Sequence, residues 1–287
     1  MTMPSPITNC WWNGQIVAID EVRIPLNDRG FTLGDGLFET LLWTGASIRF
    51  FEDHMARLSH GAQALGIVIP FDVATIESGL LELAKQSMGV AGAMRLTLTR
   101  GVGARGLQMP IDASPFMLAT LSPVESEYPA ISLSCVDVVR PWGAPSSRFK
   151  TLSYVDHVVA LSRAQALGAE DGLMRGQGNR IACATRANVI VRYQDRFLTP
   201  PVSDGALPGI IRGRLLGAGL IEEAEIDDQT LAHCTSACLT NSLIGVRRVY
   251  RLDERSLDGD EDWITHLAGF IETLEGPEGE KARHVGD

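Results

Sequence analysis

Lysine is scarce in this sequence, so each lysine can be examined as a chemical candidate. The 287 residues contain Lys85, Lys150 and Lys281, and the rest of the 25 basic residues are arginine. Only a primary amine can form a Schiff base with a carbonyl compound. Lys85 in GLLELAKQSM and Lys281 in the acidic segment EGPEGEKARHVGD are expected to be solvated. Lys150 in SSRFKTLSY precedes an apolar helical segment, where burial would favour the neutral, nucleophilic amine.

Three further groups of residues are suited to binding a small anion. In LPGIIRGRLL, proline and glycine precede a helix, so the free amides of Ile210 and Ile211 could hold a phosphate. Ser242 in LTNSLIG offers a hydroxyl near a strand end, and Arg57 in HMARL offers charge-assisted hydrogen bonds. The structural alternatives are an ordinary helix start, a turn serine and a solvated arginine on a helix.

A glycine-bearing turn, TRGVGARGL, carries Arg100 and Arg105. The two side chains could present a fork of guanidinium groups to a substrate carboxylate, or the segment could be a plain hairpin tip. No glycine-rich dinucleotide or P-loop pattern is present in the sequence.

The chain length favours two modest domains or one large α/β unit. Residues 1–122 are predicted to form a small N-terminal α+β domain, because MRLTLTRG and PFMLATLSPV read as strands, and FFEDHMARLSHGAQALGI and IESGLLELAKQSM as helices. Residues 123–130 are predicted to connect it to a larger C-terminal domain, residues 131–287. Residues from about 275 look like a disordered acidic tail.

In the second domain, ISLSCVDVV is predicted to be a strand and TLSYVDHVVALSRAQALGA a helix. Short strands are predicted at GLMR, RIACA, NVIVRY and RFLTP, followed by a helix over PGIIRGRLLGAGL. SACLTNSLIGVRRVYRL is predicted to form a strand pair.

Composition narrows the class of protein. A net charge of −10 argues against a nucleic-acid partner, because phosphate backbones attract positive surfaces. Neither a membrane-spanning apolar run nor an export signal is recognisable, so we expect a soluble, cytoplasmic protein without a membrane partner. Five dispersed cysteines suit reduced thiols, and no metal site is expected.

Taken in order, eight motifs resemble the class IV aminotransferase family over nearly the whole chain. They are WWNG, NDRGFTLGDGLFET, EDHMARL, LTRGVGARGL, FKTLSYVDHVVA, CATRANVIV, LPGIIR and CLTNSLIGVRRV. The family consists of enzymes that use pyridoxal 5'-phosphate (PLP). The resemblance implies an α/β (α+β) structure of fold type IV, with PLP between two domains and commonly a homodimer.

The resemblance also assigns roles to individual residues. Lys150 would form the Schiff base with PLP, and Leu207 would pack against its pyridine ring, with Tyr154 nearby. The phosphate would be bound by Arg57, Ile210, Ile211 and Ser242. The substrate would be contacted by Arg105, Leu33 and Phe38, where Leu33 replaces the tyrosine of some family members. Arg248 stands where proline is usual.

One departure from the family pattern affects the chemistry. Cys183 stands five residues before Asn188, where the family usually has a glutamate that keeps the pyridine nitrogen protonated. A thiol has a much higher reference pKa than a carboxylic acid, so we expect it to support that protonation poorly. The ring would then be a weaker electron sink.

Two motifs, LTRGVGARGL and TNSLIGVRRV, look closer to the 4-amino-4-deoxychorismate lyase branch, which acts on the folate pathway, than to branched-chain enzymes. That activity releases pyruvate and forms 4-aminobenzoate. The alternatives are an aminotransferase for D-amino or branched-chain amino acids and a degenerate PLP-binding protein. In each case the ligand would be a small anionic amine or an amino acid.

Overall fold

The computed structural model describes residues 8–87, 89–257 and 261–274, and the chain divides into two compact units. The first unit comprises Met1–Ser126 and Phe149–Ser153, and the second comprises Glu127–Arg148 and Tyr154–Asp287. The pentapeptide that carries Lys150 thus belongs to the first unit, which the sequence analysis did not anticipate. The predicted acidic tail and Lys281 lie outside the described residues.

The first unit is built on a five-stranded antiparallel sheet with the order β2-β1-β5-β4-β3. Its strands are β1 (Asn9–Trp12), β2 (Gln15–Ala18), β3 (Gly36–Trp43), β4 (Gly92–Thr99) and β5 (Phe116–Pro123). Its helices are α1 (Arg29–Leu33), α2 (Phe51–Leu65) and α3 (Val73–Lys85). The two long helices and the two long strands predicted from the sequence are confirmed.

Alternation along β4 determines which face of this sheet is buried. Met94, Leu96 and Leu98 are fully buried, whereas Arg95 between them is exposed. The buried residues join Leu58 of α2 in one hydrophobic core. A strand with side chains of period two therefore buries one face under the helices and leaves the other for polar contacts.

The second unit contains a nine-stranded, curled sheet with the order β11-β10-β9-β12-β13-β6-β7-β8, and β14 pairs with β13. Its strands are β6 (Ile131–Val139), β7 (Asp171–Arg175), β8 (Ile181–Ala184), β9 (Asn188–Tyr193), β10 (Arg196–Thr199), β11 (Glu222–Glu223), β12 (Ser236–Asn241), β13 (Gly245–Leu252) and β14 (Arg255–Ser256). Its helices are α4 (Pro145–Arg148), α5 (Val155–Ala166), α6 (Ile210–Gly217), α7 (Asp228–His233) and α8 (Glu261–Thr273).

The predicted strands and helices of this second region are confirmed in position. Valine and isoleucine dominate β9, whose first four residues are buried, as expected for a central strand packed on both faces. Helix α8 was not predicted from the sequence.

Candidate active site

Lys150 is held against the first unit by its backbone. The segment Phe149–Ser153 runs along the free edge of β3: the Phe38 amide donates to the Lys150 carbonyl at 2.9 Å, and the Leu152 amide donates to the Gly36 carbonyl at 3.0 Å. A Cβ at Gly36 would lie 2.4 Å from the backbone carbonyl oxygen of Leu98 on β4, so glycine is required at this position of the edge strand. The predicted Schiff-base lysine is therefore fixed at a sheet edge by its backbone.

The Phe38 ring contacts two cationic side chains of the first unit. Lys150 Nζ lies 4.1 Å from the ring centroid, and Arg95 Cζ lies 3.8 Å from it. Both distances are within the range of cation–π attraction. Phe38, a predicted substrate contact, therefore lies next to the predicted Schiff-base lysine.

On the other face of β3, Glu39 is the centre of a buried polar cluster that the sequence analysis missed. Its carboxylate accepts from Arg57 Nε at 2.8 Å, from Arg57 Nη2 at 2.5 Å and from His54 Nδ1 at 2.7 Å. His54 and Arg57 are three residues apart on α2 and thus face the same way. A single acidic residue within the apolar strand GLFETLLW was the available signal.

The cluster is strongly polarised. Burial alone would raise the pKa of Glu39, but the charge and hydrogen bonds of Arg57, aided by His54, lower that pKa to about 2. Burial lowers the pKa of His54, whose Nε2 atom is buried without a hydrogen-bond partner among the described residues. The cluster is thus a carboxylate, a guanidinium and a neutral imidazole, and Arg57 is a paired side chain rather than a solvated one.

The turn that carries Arg105 is anchored by a different arginine. Arg29, which is buried, donates to the carbonyls of Gly106 and Gln108 and to Asp35. Arg105 itself is exposed.

The hypothesis of a fork formed by Arg100 and Arg105 is wrong for Arg100. Its guanidinium is buried and bound to Asp35 and to the carbonyls of Leu65 and Gly66. Leu33, at the end of α1, is 42% exposed and therefore available to a ligand.

In the second unit, α6 begins without a side-chain cap. Gly209 precedes the helix, and no side chain in the described part of the chain caps its first turn, which leaves the amides of Ile210 and Ile211. The side chain of Asn188 fixes the backbone before the helix, because its amide donates to the Leu207 carbonyl at 2.9 Å. It also lies close to Gly209, where an added Cβ would be 2.0 Å from the Asn188 Oδ1 atom. The predicted phosphate-binding amides are thus free and held in place.

Two hydroxyl groups follow on β12 and the turn after it. Thr240 is the register partner of Asn188, so the two side chains project from the same face of the sheet. Its Oγ1 atom is buried without a hydrogen-bond partner in the described residues. Ser242 is buried in the turn between β12 and β13, close to the strand end where the sequence analysis expected its hydroxyl. Donors of this kind suit an anion.

Cys183 lies on β8 opposite Met174 and is buried. Burial raises the pKa of its thiol, the charge of Arg140 lowers that pKa in part, and Asp171 raises it further. The thiol therefore stays neutral.

Tyr154, immediately before α5, stacks on His157 of the same unit.

The family model for "Amino-transferase class IV" matches residues 36–252, a range that includes these candidate residues except Leu33. The chain belongs to this family. It is therefore a PLP-dependent enzyme, an aminotransferase or a lyase. The predicted class IV fold is confirmed as well.

Three relatives illustrate the range of activities in the family. The chain is 26% identical to the D-alanine aminotransferase of Bacillus licheniformis over 86% of its own length and 89% of the relative. It is 26% identical to the 4-amino-4-deoxychorismate lyase of Pseudomonas aeruginosa, with a TM-score of 0.78 over 93% of this chain and 98% of that one. The branched-chain aminotransferase of Escherichia coli shares the fold at 15% identity, with a TM-score of 0.85 over 93% and 94% of the two chains.

The residues present fit PLP. Lys150 would supply the amine for its aldehyde. The uncapped amides of α6 and the buried Thr240 hydroxyl, which has no hydrogen-bond partner among the described residues, would supply neutral donors for its phosphate. No group of three or more metal-ligating side chains occurs among the residues described. Within that same part of the chain, no helix has the length and apolarity needed to cross a membrane.

Proposed function

We propose that this class IV enzyme is a 4-amino-4-deoxychorismate lyase, which releases pyruvate and forms 4-aminobenzoate. The observation that carries the proposal is the buried, neutral thiol of Cys183 at the position where the family usually places a glutamate. Without a carboxylate partner the pyridine nitrogen is less readily protonated, so the ring is a weaker electron sink. This disfavours the protonation of the cofactor carbon that transamination requires. Elimination expels its leaving group directly and depends less on that proton.

Within this proposal, the cofactor contacts are those that the family resemblance assigns. Lys150 would hold its aldehyde carbon, and Leu207 and Tyr154 would contact its ring. Its phosphate would be held by Arg57, Ile210, Ile211 and Ser242. Bound PLP supplies an electron sink that weakens the bonds at the amine-bearing carbon of the substrate.

The other roles belong to side chains of the protein. The Lys150 amine would remove and return protons of the substrate as general base and acid. Phe38 lies beside Nζ and would exclude water from it, since the ring is buried. Arg105 and Leu33, both exposed, would contact the anionic substrate.

The test is a direct comparison of activities on the purified, PLP-saturated protein. With aminodeoxychorismate we expect equal amounts of 4-aminobenzoate and pyruvate, and no product from the Lys150→Ala variant. D-alanine and branched-chain amino acids, each with 2-oxoglutarate or pyruvate, serve as competing substrates. Faster turnover of an amino acid would reject the lyase assignment, and PLP binding without any turnover would indicate a degenerate enzyme.

The second candidate is an aminotransferase for D-amino acids. It is supported by the relative from Bacillus licheniformis, whose 26% identity equals that of the lyase. The same lysine and phosphate-binding residues would serve it, with a different substrate pocket. A branched-chain substrate is the remaining variant of this candidate.

A homodimer is part of the proposal. Phe31, Leu107 and Ile111 of the first unit are 68%, 80% and 97% exposed, and removing such apolar side chains from water would favour association. A second copy of the chain would cover such residues. Sedimentation equilibrium should give twice the mass of 31.1 kDa, and a monomer at micromolar concentration would reject this part.

A further inference from the structure

Arg140, just after β6, is a buried cation surrounded by neutral groups. Its Nε donates to the Gly205 carbonyl at 2.7 Å, its Nη2 donates to the Ser147 carbonyl at 3.0 Å, and its Nη1 donates to His157 Nε2. Among the described residues it forms no ion pair with a carboxylate. A buried charge without a counter-charge is expensive, so its hydrogen-bond acceptors must be held rigidly.

His157, on the first turn of α5, is bound at both ring nitrogens. Nε2 accepts from Arg140, and Nδ1 donates to the Thr185 carbonyl at 2.6 Å. A ring that accepts at one nitrogen and donates at the other is neutral and has a single tautomer. The imidazole therefore has neither a free nitrogen nor freedom to rotate.

Tyr154 lies on the face of this immobilised ring. The two centroids are 4.0 Å apart and the ring planes are inclined by 10°. A hydrogen bond from a guanidinium withdraws electron density from the imidazole, which favours stacking against the electron-rich phenol. Because His157 cannot rotate, it determines the plane in which the Tyr154 ring lies.

We propose that His157 is a positioning residue for Tyr154, and that Arg140 and the Thr185 carbonyl act through it. Thr185 belongs to the connection between Cys183 and Asn188, and Gly205 lies two residues before Leu207. The same hydrogen bonds therefore link Tyr154 to both segments. The inference rests on the proposed function only in that Tyr154 is taken to lie near the cofactor ring.

The position of Tyr154 can be measured without cofactor or substrate. The chain contains four tyrosines, so 3-fluorotyrosine labelling gives few fluorine NMR signals, and Tyr154→Phe identifies the signal of interest. His157→Phe keeps an aromatic face without the hydrogen bonds, whereas His157→Gln keeps polar atoms without the face. His233→Ala, which removes an exposed histidine of the same unit, is the matched control.

We expect the Tyr154 signal to stay at its wild-type position in the control. It should move in His157→Phe, because that variant keeps the aromatic face but loses the two hydrogen bonds that fix it, and it should move further and sharpen in His157→Gln. Melting curves of each apo variant confirm that it is folded. A Tyr154 signal that is unchanged in His157→Gln overturns the proposal, whether or not PLP binds.

The consequence for the cofactor is tested by a double-mutant cycle on the dissociation constant of PLP. Substituting His157→Gln should weaken PLP binding by about three- to tenfold, and the effect should vanish in a Tyr154→Ala background, because the histidine acts through the tyrosine. Equal effects in both backgrounds overturn the proposed coupling. If the wild type fails to bind PLP, the proposed function is lost, but the fluorine signals still decide the positioning role.

Discussion

The enzyme has one buried histidine bonded to a carboxylate, in the first unit, and another bonded to a guanidinium, in the second unit. In the first unit, His54 donates to the carboxylate of Glu39, which also neutralises Arg57. In the second unit, His157 accepts from the uncompensated guanidinium of Arg140. The lysine-bearing unit thus contains a balanced ion pair, whereas the unit with Cys183 contains a cation and a neutral thiol.

The contrast concerns the immediate partners of these two arginines, since Arg57 is paired with a carboxylate and Arg140 is hydrogen-bonded to neutral groups. A carboxylate at position 183 would lie within electrostatic reach of Arg140, which already lowers the pKa of the Cys183 thiol. The neutral Cys183 thiol supplies no such counter-charge to Arg140. The predictions below test each side of this comparison.

The largest effect is expected at Lys150. Lys150→Ala should abolish covalent attachment of PLP, because the exposed Lys85 is paired with Glu82 on α3 and cannot replace it. Borohydride reduction and peptide mapping should label Lys150 alone in the wild type. Lys85→Ala is the matched control and should keep the label. A label that survives in Lys150→Ala would disprove the assignment.

The buried ion pair between Glu39 and Arg57 should contribute strongly to stability. Glu39→Gln leaves Arg57 without its counter-charge and should lower the free energy of unfolding by about 3 kcal/mol at neutral pH. Chemical denaturation measures the loss. Glu82→Gln, which removes an exposed ion pair, should change stability little.

The pH dependence of this effect has a definite sign. The pKa of Glu39 is lowered from 4.5 to about 2, so its stabilisation is complete above pH 4.5 and is lost as the pH falls toward 2. The stability difference between wild type and Glu39→Gln should therefore shrink across that range. A difference that stays constant below pH 4 would show that the carboxylate is not ionised by its partners.

Arg57→Ala should weaken PLP binding by about tenfold or more, because a charged hydrogen bond to phosphate is lost. It also strands the Glu39 carboxylate, so part of the damage would be to the fold. The double variant Arg57→Ala/Glu39→Gln removes both charges and should recover stability while PLP binding stays weak. Recovery of PLP binding as well would mean that Arg57 acts only through the fold.

Local patterns were sufficient for most of the fold and for part of the site. The period of β4 and of α2 predicts both elements, and the proline and glycine before α6 predict its uncapped start. Glu39, His54 and Thr240 escaped prediction because their significance depends on neighbours distant in sequence. Arg140 and His157 are brought together only by the tertiary structure. The prediction that Arg100 contacts a substrate rested on its turn alone and failed, because the side chain is buried against Asp35.

The smallest effect, and the one that tests the comparison most directly, is expected from Cys183→Glu. A new carboxylate at this position can pair electrostatically with Arg140, so the variant should fold with a modest loss of stability. Cys238 is the matched control, because burial alone raises the pKa of its thiol and no cation offsets that effect. Cys238→Glu should therefore be far more destabilised or fail to fold.

The functional consequence of Cys183→Glu is a shift between two reactions of the bound cofactor. A carboxylate at position 183 should keep the pyridine nitrogen protonated, because protein groups beside the ring tune the electronic properties of the cofactor. The rate of half-transamination should then rise by roughly several-fold relative to the rate of pyruvate release. Both rates are measured in parallel on wild type and variant at equal PLP occupancy. If the variant folds and binds PLP but the ratio does not move, Cys183 does not act on the ring nitrogen. The missing counter-charge of the second unit would then concern stability alone, and the lyase assignment would lose its physical basis.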